Sequence, residues 1–393
     1  MGDFVRQHLI DPEICIRCHT CEEACPIGAI THDDLNVVVD AAKCNHCMTC
    51  IAPCPTGSID NWRVVAAPYS VAEQLTWCEL PAQQDTEGGA AVAEGDATVA
   101  ALIAEAHRGA GGRTRAPASA SRPVVNLHGP GNPLEAIVQG NYRLTAGDEA
   151  PDVRHIVLDF GRAPFPALEG QSIGIIPPGT APSGRPHLPR LYSVSSPRDG
   201  ERPARNDLSL TVRRVPGGVC SNYVCDLAKG DTVRVAGPFG STFLLPGDPA
   251  ARLVMICTGT GAAPFRGFTM RRQRVMPEVN GSMLLFFGAR TPSSLPYFGG
   301  LNEVPEAFLA RHFAFSRIPG EARVYVQDKL RAAADVLAPL LLDPDTHIYV
   351  CGLRQMEAGV EAAFRDIAAG AGLDWAATRD ALREAGRYHV ETY

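Results

Sequence analysis

The chain has 393 residues, 45% of them hydrophobic and 20% charged, with a formal net charge of -7. That length suffices for two to four domains with full hydrophobic cores. The acidic balance excludes the basic stripe of a nucleic-acid binder, and no run of about 20 apolar residues is present to span a bilayer. The start, Met1-Gly2-Asp3-Phe4-Val5-Arg6, lacks the apolar segment of a signal peptide, and Arg6 breaks the myristoylation pattern. A cytoplasmic location without membrane or nucleic-acid partners is therefore expected. Thirteen cysteines in such a chain read as metal ligands or redox groups before disulfides.

Residues 1–65 hold a duplicated run: Cys15-x2-Cys18-x2-Cys21-x3-Cys25-Pro26, then Cys44-x2-Cys47-x2-Cys50-x3-Cys54-Pro55. Three thiolates at two-residue spacing wrap one corner of a cubane, and the proline turns the chain away. Zinc is the alternative, but zinc modules do not duplicate a Cys-x3-Cys-Pro ending. Ala29-Ile30 and Ser58-Ile59 follow the two runs and are expected to pair as short strands across a pseudo-twofold. His19 and His46, between ligands, either tune a cluster or are exposed loop positions. The stretch 9–62 resembles the bacterial two-cluster ferredoxins, in which the fourth cysteine of each run ligates the other cluster. The resemblance implies one 4Fe–4S cluster on Cys15, Cys18, Cys21 and Cys54 and a second on Cys44, Cys47, Cys50 and Cys25.

Residues 66–80 read as a connector with a short helical piece. From Pro81 to Pro123 the composition turns to Ala, Gly and small polar residues, the signature of a flexible linker. Within it Val99, Leu102, Ile103 and Ala106 share one helical face, so residues 99–106 form either a transient helix or one docked on a domain.

Residues 124–245 alternate apolar and polar positions between Gly and Pro turns, as in an antiparallel barrel. The expected strands are 136–138, 142–144, 156–158, 173–175 and 208–212, with Arg190–Ser196 among them. That last segment packs a cation, an aromatic ring and hydroxyls together, a set suited to a flavin. Gly218-Val219-Cys220-Ser221 opens a short helix, 223–227, a backbone phosphate site. Residues 252–393 alternate strands and helices, the pattern of a parallel sheet. Strand 253–257 runs into Thr258-Gly259-Thr260-Gly261-Ala262-Ala263-Pro264 and a helix from Phe265. Further strands are expected at 284–290, 313–317 and 347–353. Ligands in such sheets bind beyond strand carboxyl ends, where Thr260, Ser316 and Cys351 fall.

From Asn126 to Tyr393 these motifs, with Glu169-Gly170-Gln171-Ser172, Gly237-Pro238 and the terminal Glu391-x-Tyr393, resemble the plant-type ferredoxin–NADP reductase family. The resemblance implies a multidomain α+β and α/β protein: a two-4Fe–4S ferredoxin-like domain (1–77), a linker (78–122), an antiparallel β-barrel FAD domain (123–248) and a parallel-sheet NADP-binding domain (249–393). It implies that Arg190, Ser196, Gly218, Val219, Cys220 and Ser221 hold FAD, with Tyr192 and Tyr393 on its two flavin faces. Ser193 would sit near flavin N5, with Cys351, Glu391 and Tyr393 as the other catalytic positions. Arg213, Thr260, Gly261, Gly352 and Leu353 would contact the dinucleotide. Ser316, Arg317 and Tyr325 supply donors for a 2′-phosphate and Gln327 matches the adenosine position, so NADPH is expected.

The expected activity is that of an NADPH-dependent oxidoreductase using FAD and two 4Fe–4S clusters. No paired Glu-x-x-His motif for a di-iron site is present, so oxygen chemistry is assigned to a separate oxygenase. The fusion order resembles the reductase components serving benzoyl-CoA 2,3-epoxidases of aerobic benzoate breakdown, which implies a di-iron benzoyl-CoA epoxidase as partner. A different oxygenase or a general ferredoxin-type acceptor is the alternative. A homodimer is compatible with this reading.

Overall fold

The computed structural model describes residues 5–81 apart from 14, 46, 48, 51–52, 55–57, 60 and 66, and residues 115–393 apart from 147–149, 164, 182–183, 185, 204 and 280. His46 and the expected helix at 99–106 lie outside the described residues.

In the amino-terminal part, β1 (Val5–Leu9) pairs antiparallel with β4 (Asn61–Val65), and β2 (Ile30–His32) pairs with β3 (Val37–Val39). The strands that follow the two cysteine runs, β2 and β4, do not pair with each other as expected. Each pairs instead with the strand leading into the other run. The Asp33 carboxylate accepts the Leu35 and Asn36 amides at 2.8 and 2.6 Å and closes a tight turn that commits β2 to β3. Helix α1 (Thr20–Glu23) carries the buried Cys21. The connector contains α2 (Val71–Gln74), whose first turn is capped by the Ser70 hydroxyl accepting the Glu73 amide. Gln74 exchanges hydrogen bonds with the Val39 backbone, which fixes the connector to β3.

Six strands form one antiparallel sheet: β5 (Leu134–Arg143), β6 (Val153–Asp159), β7 (Ser172–Ile176), β8 (Arg190–Ser193), β9 (Asp207–Arg213) and β10 (Thr232–Phe239), in the order β8-β7-β10-β5-β6-β9. Just past β8, Val194 bridges Leu210 and the Ser195 amide donates to the Ser209 carbonyl at 2.8 Å. The sheet thus closes on itself as a barrel filled by Ala136, Val138, Ile156, Leu158, Leu210 and Val235 among others. The two strands expected at 136–138 and 142–144 are one, with a register shift between Val138 and Gly140. Helix α3 (Val219–Asp226) starts at Val219 rather than at Tyr223. Its first turn is held by Ser221 Oγ, which accepts the Val215 amide, and by Asn222 Nδ2, which donates to the Gly218 carbonyl.

The carboxyl-terminal part holds β11 (Arg252–Thr258), β12 (Met283–Ala289), β13 (Ala310–Phe315), β14 (Thr346–Gly352) and β15 (Tyr388–Thr392), all parallel, in the order β13-β12-β11-β14-β15. Alternate strand residues serve opposite faces. Val254, Ile256, Phe286 and Val350 pack under α6 (Val326–Ala332), α7 (Ala334–Leu340), α8 (Arg354–Gly370) and α9 (Trp375–Glu384). Met255, Phe287, Tyr349 and Cys351 pack with α4 (Ala262–Val275) and α5 (Phe298–Glu303). Helix α4 begins three residues before Phe265, because Pro264 sits in its first turn, where a missing amide breaks no helical bond.

Barrel and sheet meet through partly buried ion pairs. Glu201 accepts from both Arg266 terminal nitrogens at 2.5 and 2.9 Å, and Arg274 reaches Asp199 at 2.8 Å. His155 and Thr211 both hydrogen-bond the Tyr297 hydroxyl, at 2.9 and 2.6 Å. The end of the expected linker is not free. The Ser119 carbonyl accepts the Gly247 amide at 3.0 Å, Ala120 bridges Pro246, and Ser121 Oγ accepts from Arg198 at 2.6 Å.

Candidate active site

Strand order reverses between β12, β11 and β14, and at that point the carboxyl ends of the sheet face the barrel. Between them lies a cleft of about 1290 Å³, larger than the few hundred to about 1,000 Å³ of a single small-molecule pocket. The expected residues Arg190, Tyr192, Ser193, Arg213, Gly218, Val219, Cys220 and Ser221 line its barrel side. Thr260, Ser316, Arg317, Tyr325, Gln327, Cys351, Leu353, Glu391 and Tyr393 line its sheet side.

Each group is placed by a strand end. Tyr192 and Ser193 close β8; burial foremost, then the neighbouring Cys220, pushes the Tyr192 hydroxyl well above its usual range. Helix α3 points its amino terminus into the cleft with the glycine Gly218 as cap and no acidic residue in the first turn, so its amides favour an anion. Parallel pairing sets Glu391 of β15 opposite Cys351 of β14. Burial, then the charge of Glu391, raises the Cys351 thiol well above its usual range, so it stays protonated. The Tyr393 hydroxyl hydrogen-bonds Thr260 Oγ1 at 2.5 Å, which ties the chain end to the glycine loop.

Three expected residues lie off the cleft. Ser196 is fully buried, and its Oγ accepts the Ser209 amide at 3.0 Å, so it closes the barrel. Gly261 and Gly352 serve close backbone approach: an added Cβ would collide with the Cys351 carbonyl at the first and with Thr258 at the second, where φ is +144°. Glu169-Gly170-Gln171 is likewise structural. Glu169 is fully buried against Arg198, and Gln171 Nε2 donates to the Val124 and Gly240 carbonyls.

The sequence reading missed Arg290, Arg323 and Arg354, which also line the cleft. Arg290 directly follows β12 and Arg354 opens α8 after β14, so the rule that ligands gather at strand carboxyl ends would have found two of them. With Arg190, Arg213 and Arg317 they bring six guanidiniums to a cleft whose described lining has one acidic side chain, Glu391. The net positive wall, the α3 amides and the aromatic and hydroxyl groups fit phosphate-bearing dinucleotides.

The cysteine centre lies in the amino-terminal part, where the partly buried Cys15, Cys25, Cys44 and Cys54 pack against a small core containing Cys21 and Cys50. Burial, then the Cys54 and Cys15 thiols, pushes Cys21 up to about 11. Burial, then Cys44 and also Cys47, pushes Cys50 up to about 12. Cys54 therefore sits beside a thiol of the first run, 33 residues away in sequence. Crowded thiols of this kind are soft ligands that suit iron–sulfur binding.

Residues 8–31 match the family described as 4Fe-4S binding domain, residues 178–243 the Oxidoreductase FAD-binding domain, and residues 255–362 the Oxidoreductase NAD-binding domain. The chain is 39% identical over 289 residues to the cyanelle ferredoxin–NADP reductase of Cyanophora paradoxa, covering 68% of this chain and 79% of that protein. It is 38% identical over 288 residues to the ferredoxin–NADP reductase of a Spirulina species, covering 68% of this chain and 98% of that protein. Among solved structures, the Plasmodium falciparum ferredoxin–NADP+ reductase with 2′P-AMP shares the fold at a TM-score of 0.55 and 22% identity, over 69% of this chain and all of that one. The chain belongs to the ferredoxin–NADP reductase family, with a 4Fe–4S ferredoxin motif ahead of its FAD- and NAD-binding domains.

Proposed function

We propose that this NADPH-dependent oxidoreductase carries electrons from NADPH through FAD and two 4Fe–4S clusters to a separate oxygenase. The carrying observation is the cleft itself, with six arginines against one acidic side chain. Two pyrophosphates and a 2′-phosphate bring roughly six negative charges, which matches that wall. FAD, when bound, supplies the change from a two-electron donor to single-electron acceptors.

The chain's own groups do the rest. Arg190, Ser221 and the α3 amides would hold the FAD pyrophosphate; Ser221 Oγ accepts the Val215 amide, which leaves its own proton free to donate to a phosphate oxygen. Arg213, Arg354 and Thr260 hold the second pyrophosphate, and Ser316, Arg317, Arg323 and Tyr325 receive the 2′-phosphate. Tyr192 and Tyr393 bound the two flavin faces. Tyr393 occupies the nicotinamide slot at rest, latched to Thr260, and moves aside when the nucleotide engages that hydroxyl. The Cys351 thiol, protonated by its burial, and Glu391 would flank the nicotinamide ring, and Ser193 would donate a hydrogen bond near the hydride-accepting nitrogen.

The clusters sit on Cys15, Cys18, Cys21 and Cys54 and on Cys44, Cys47, Cys50 and Cys25. The proximity of Cys54 to Cys21 supports the crossed fourth ligand. We read the modules as residues 1–77, 78–122, 123–248 and 249–393, with 115–122 held against the last two. The fused architecture makes a di-iron benzoyl-CoA 2,3-epoxidase the first candidate acceptor. A ferredoxin-type acceptor is the second reading, favoured by the names of the relatives above.

Anaerobic mixing with NADPH tests the reductase. The flavin band is expected to bleach first and the cluster absorbance after it; an unbleached flavin sinks the proposal. Reoxidation on adding the epoxidase supports that partner, and reoxidation by a ferredoxin alone supports the second reading.

A further inference from the structure

We infer that His8 donates a hydrogen bond to the Cys50 sulfur and sets the cluster holding Cys50 at the higher potential of the two. The inference rests on the two-cluster reading above. His8 lies on β1, only 2% exposed, with Nδ1 3.9 Å from Cys50 Sγ, within reach of a hydrogen bond to sulfur. Cys50 is itself 8% exposed, so water does not compete for its lone pairs.

The two halves of this part are built alike, and the likeness breaks at this point. His8 precedes the first cysteine of its run by seven residues, and Val37 precedes Cys44 by seven. Both lie on the strand leading into a run, β1 and β3. Val37 is 3% exposed and belongs to the same apolar cluster as Cys21. One half therefore offers an imidazole N–H where its twin offers methyl groups, and methyl groups cannot donate. Hydrogen bonds to ligand sulfurs help set cluster potentials. A donor draws charge from the sulfur and stabilises the state with the extra electron, more strongly in buried surroundings than in water. His8 acts through Cys50 and is a positioning residue; the electron settles on the Cys50 side, which gives a near-symmetric unit a direction.

The test is an EPR-monitored anaerobic redox titration of the holoprotein, with iron and sulfide counted. His8→Val copies the residue of the other half. It is expected to lower the reduced-to-oxidised ratio of the higher-potential cluster about tenfold at a fixed poise, equivalent to about 59 mV for a one-electron couple, and to leave the other unmoved. His8→Asn, which carries an amide donor near the Nδ1 position, is expected to retain most of the potential. His8→Gln, with its amide near the Nε2 position, is expected to behave like His8→Val. This pair decides the question even if the valine variant loads poorly. Eight irons with both potentials unmoved, with the lower one moved, or with Asn and Gln alike overturns the asymmetry alone. Four irons overturns the two-cluster reading and the asymmetry with it.

Discussion

Glu169 and Tyr393 show how differently single residues serve this fold. Burial alone would raise the Glu169 carboxyl; the Arg198 and Arg271 charges beside it outweigh that and hold it below its usual range. Its stabilisation is therefore present above the unfolded value of about 4.3 and is lost as pH falls through the lower folded value. Glu169→Gln leaves Arg198 short of its buried partner and is expected to cost about 3–5 kcal/mol at neutral pH. In thermal melts, the gap to the wild type should stay constant from pH 7 to about pH 5 and narrow only as pH falls below about 4.3. Tyr393→Ser removes both the ring proposed to fill the nicotinamide slot and the bond to Thr260. We expect tighter NADPH binding and a fall of about tenfold or more in the preference for NADPH over NADH, read as a ratio of kcat/KM values. Unchanged binding and preference would end the gating idea. Arg190, Tyr192 and Cys351 were legible because their residue types announce their chemistry. Ser196 was not: a hydroxyl three residues beyond a cleft-lining serine looks the same whether it meets a phosphate or closes a barrel, and only the Ser209 contact tells them apart.

Among the elements, the glycine loop after β11 and the end of β14 fit only because two glycines lack side chains. Gly261→Ala keeps an allowed helical conformation, φ -61°, yet drives a methyl group into the Cys351 carbonyl. The expected result is a loss of about 1–3 kcal/mol in a denaturant titration together with a raised KM for NADPH, since Thr260 and Cys351 are both displaced. Barrel and sheet were legible in outline from their periods of apolar residues, and β11, β12 and β14 fell within a residue or two of expectation. Pairing was less legible. Residues 30 and 59 have matching positions after matching motifs, but Ser58-Ile59 forms a turn ahead of β4 rather than a strand, a hydrogen-bonding turn at Asp33 commits β2 to β3, and periodicity carries no information about which strands meet. Helix starts at Val219 and Ala262 were read late because their first turns hold no side-chain cap.

At the scale of the molecule, charge is unevenly shared. Residues 1–81 hold eleven Asp and Glu against four Lys and Arg, whereas residues 123–393 hold twenty-seven against twenty-eight. The acidic excess lies with the cysteine centre, so a protein acceptor that docks there should present a basic face. Raising salt from about 50 to 500 mM is expected to slow reduction of that acceptor roughly tenfold, because the Debye length falls well below the span of a docking surface; a salt-independent rate would point to apolar docking instead. None of the described helices is long and apolar enough to cross a membrane. The pairing of β1 with β4 and of β2 with β3 has a further consequence for how this part is made. Each half contributes strands whose only partners among the described residues belong to the other half. Neither half is a folding unit, so a chain begun at residue 36 would strand β3 and β4 without neighbours. The amino-terminal part forms as one indivisible, cooperative event once Val65 has been made.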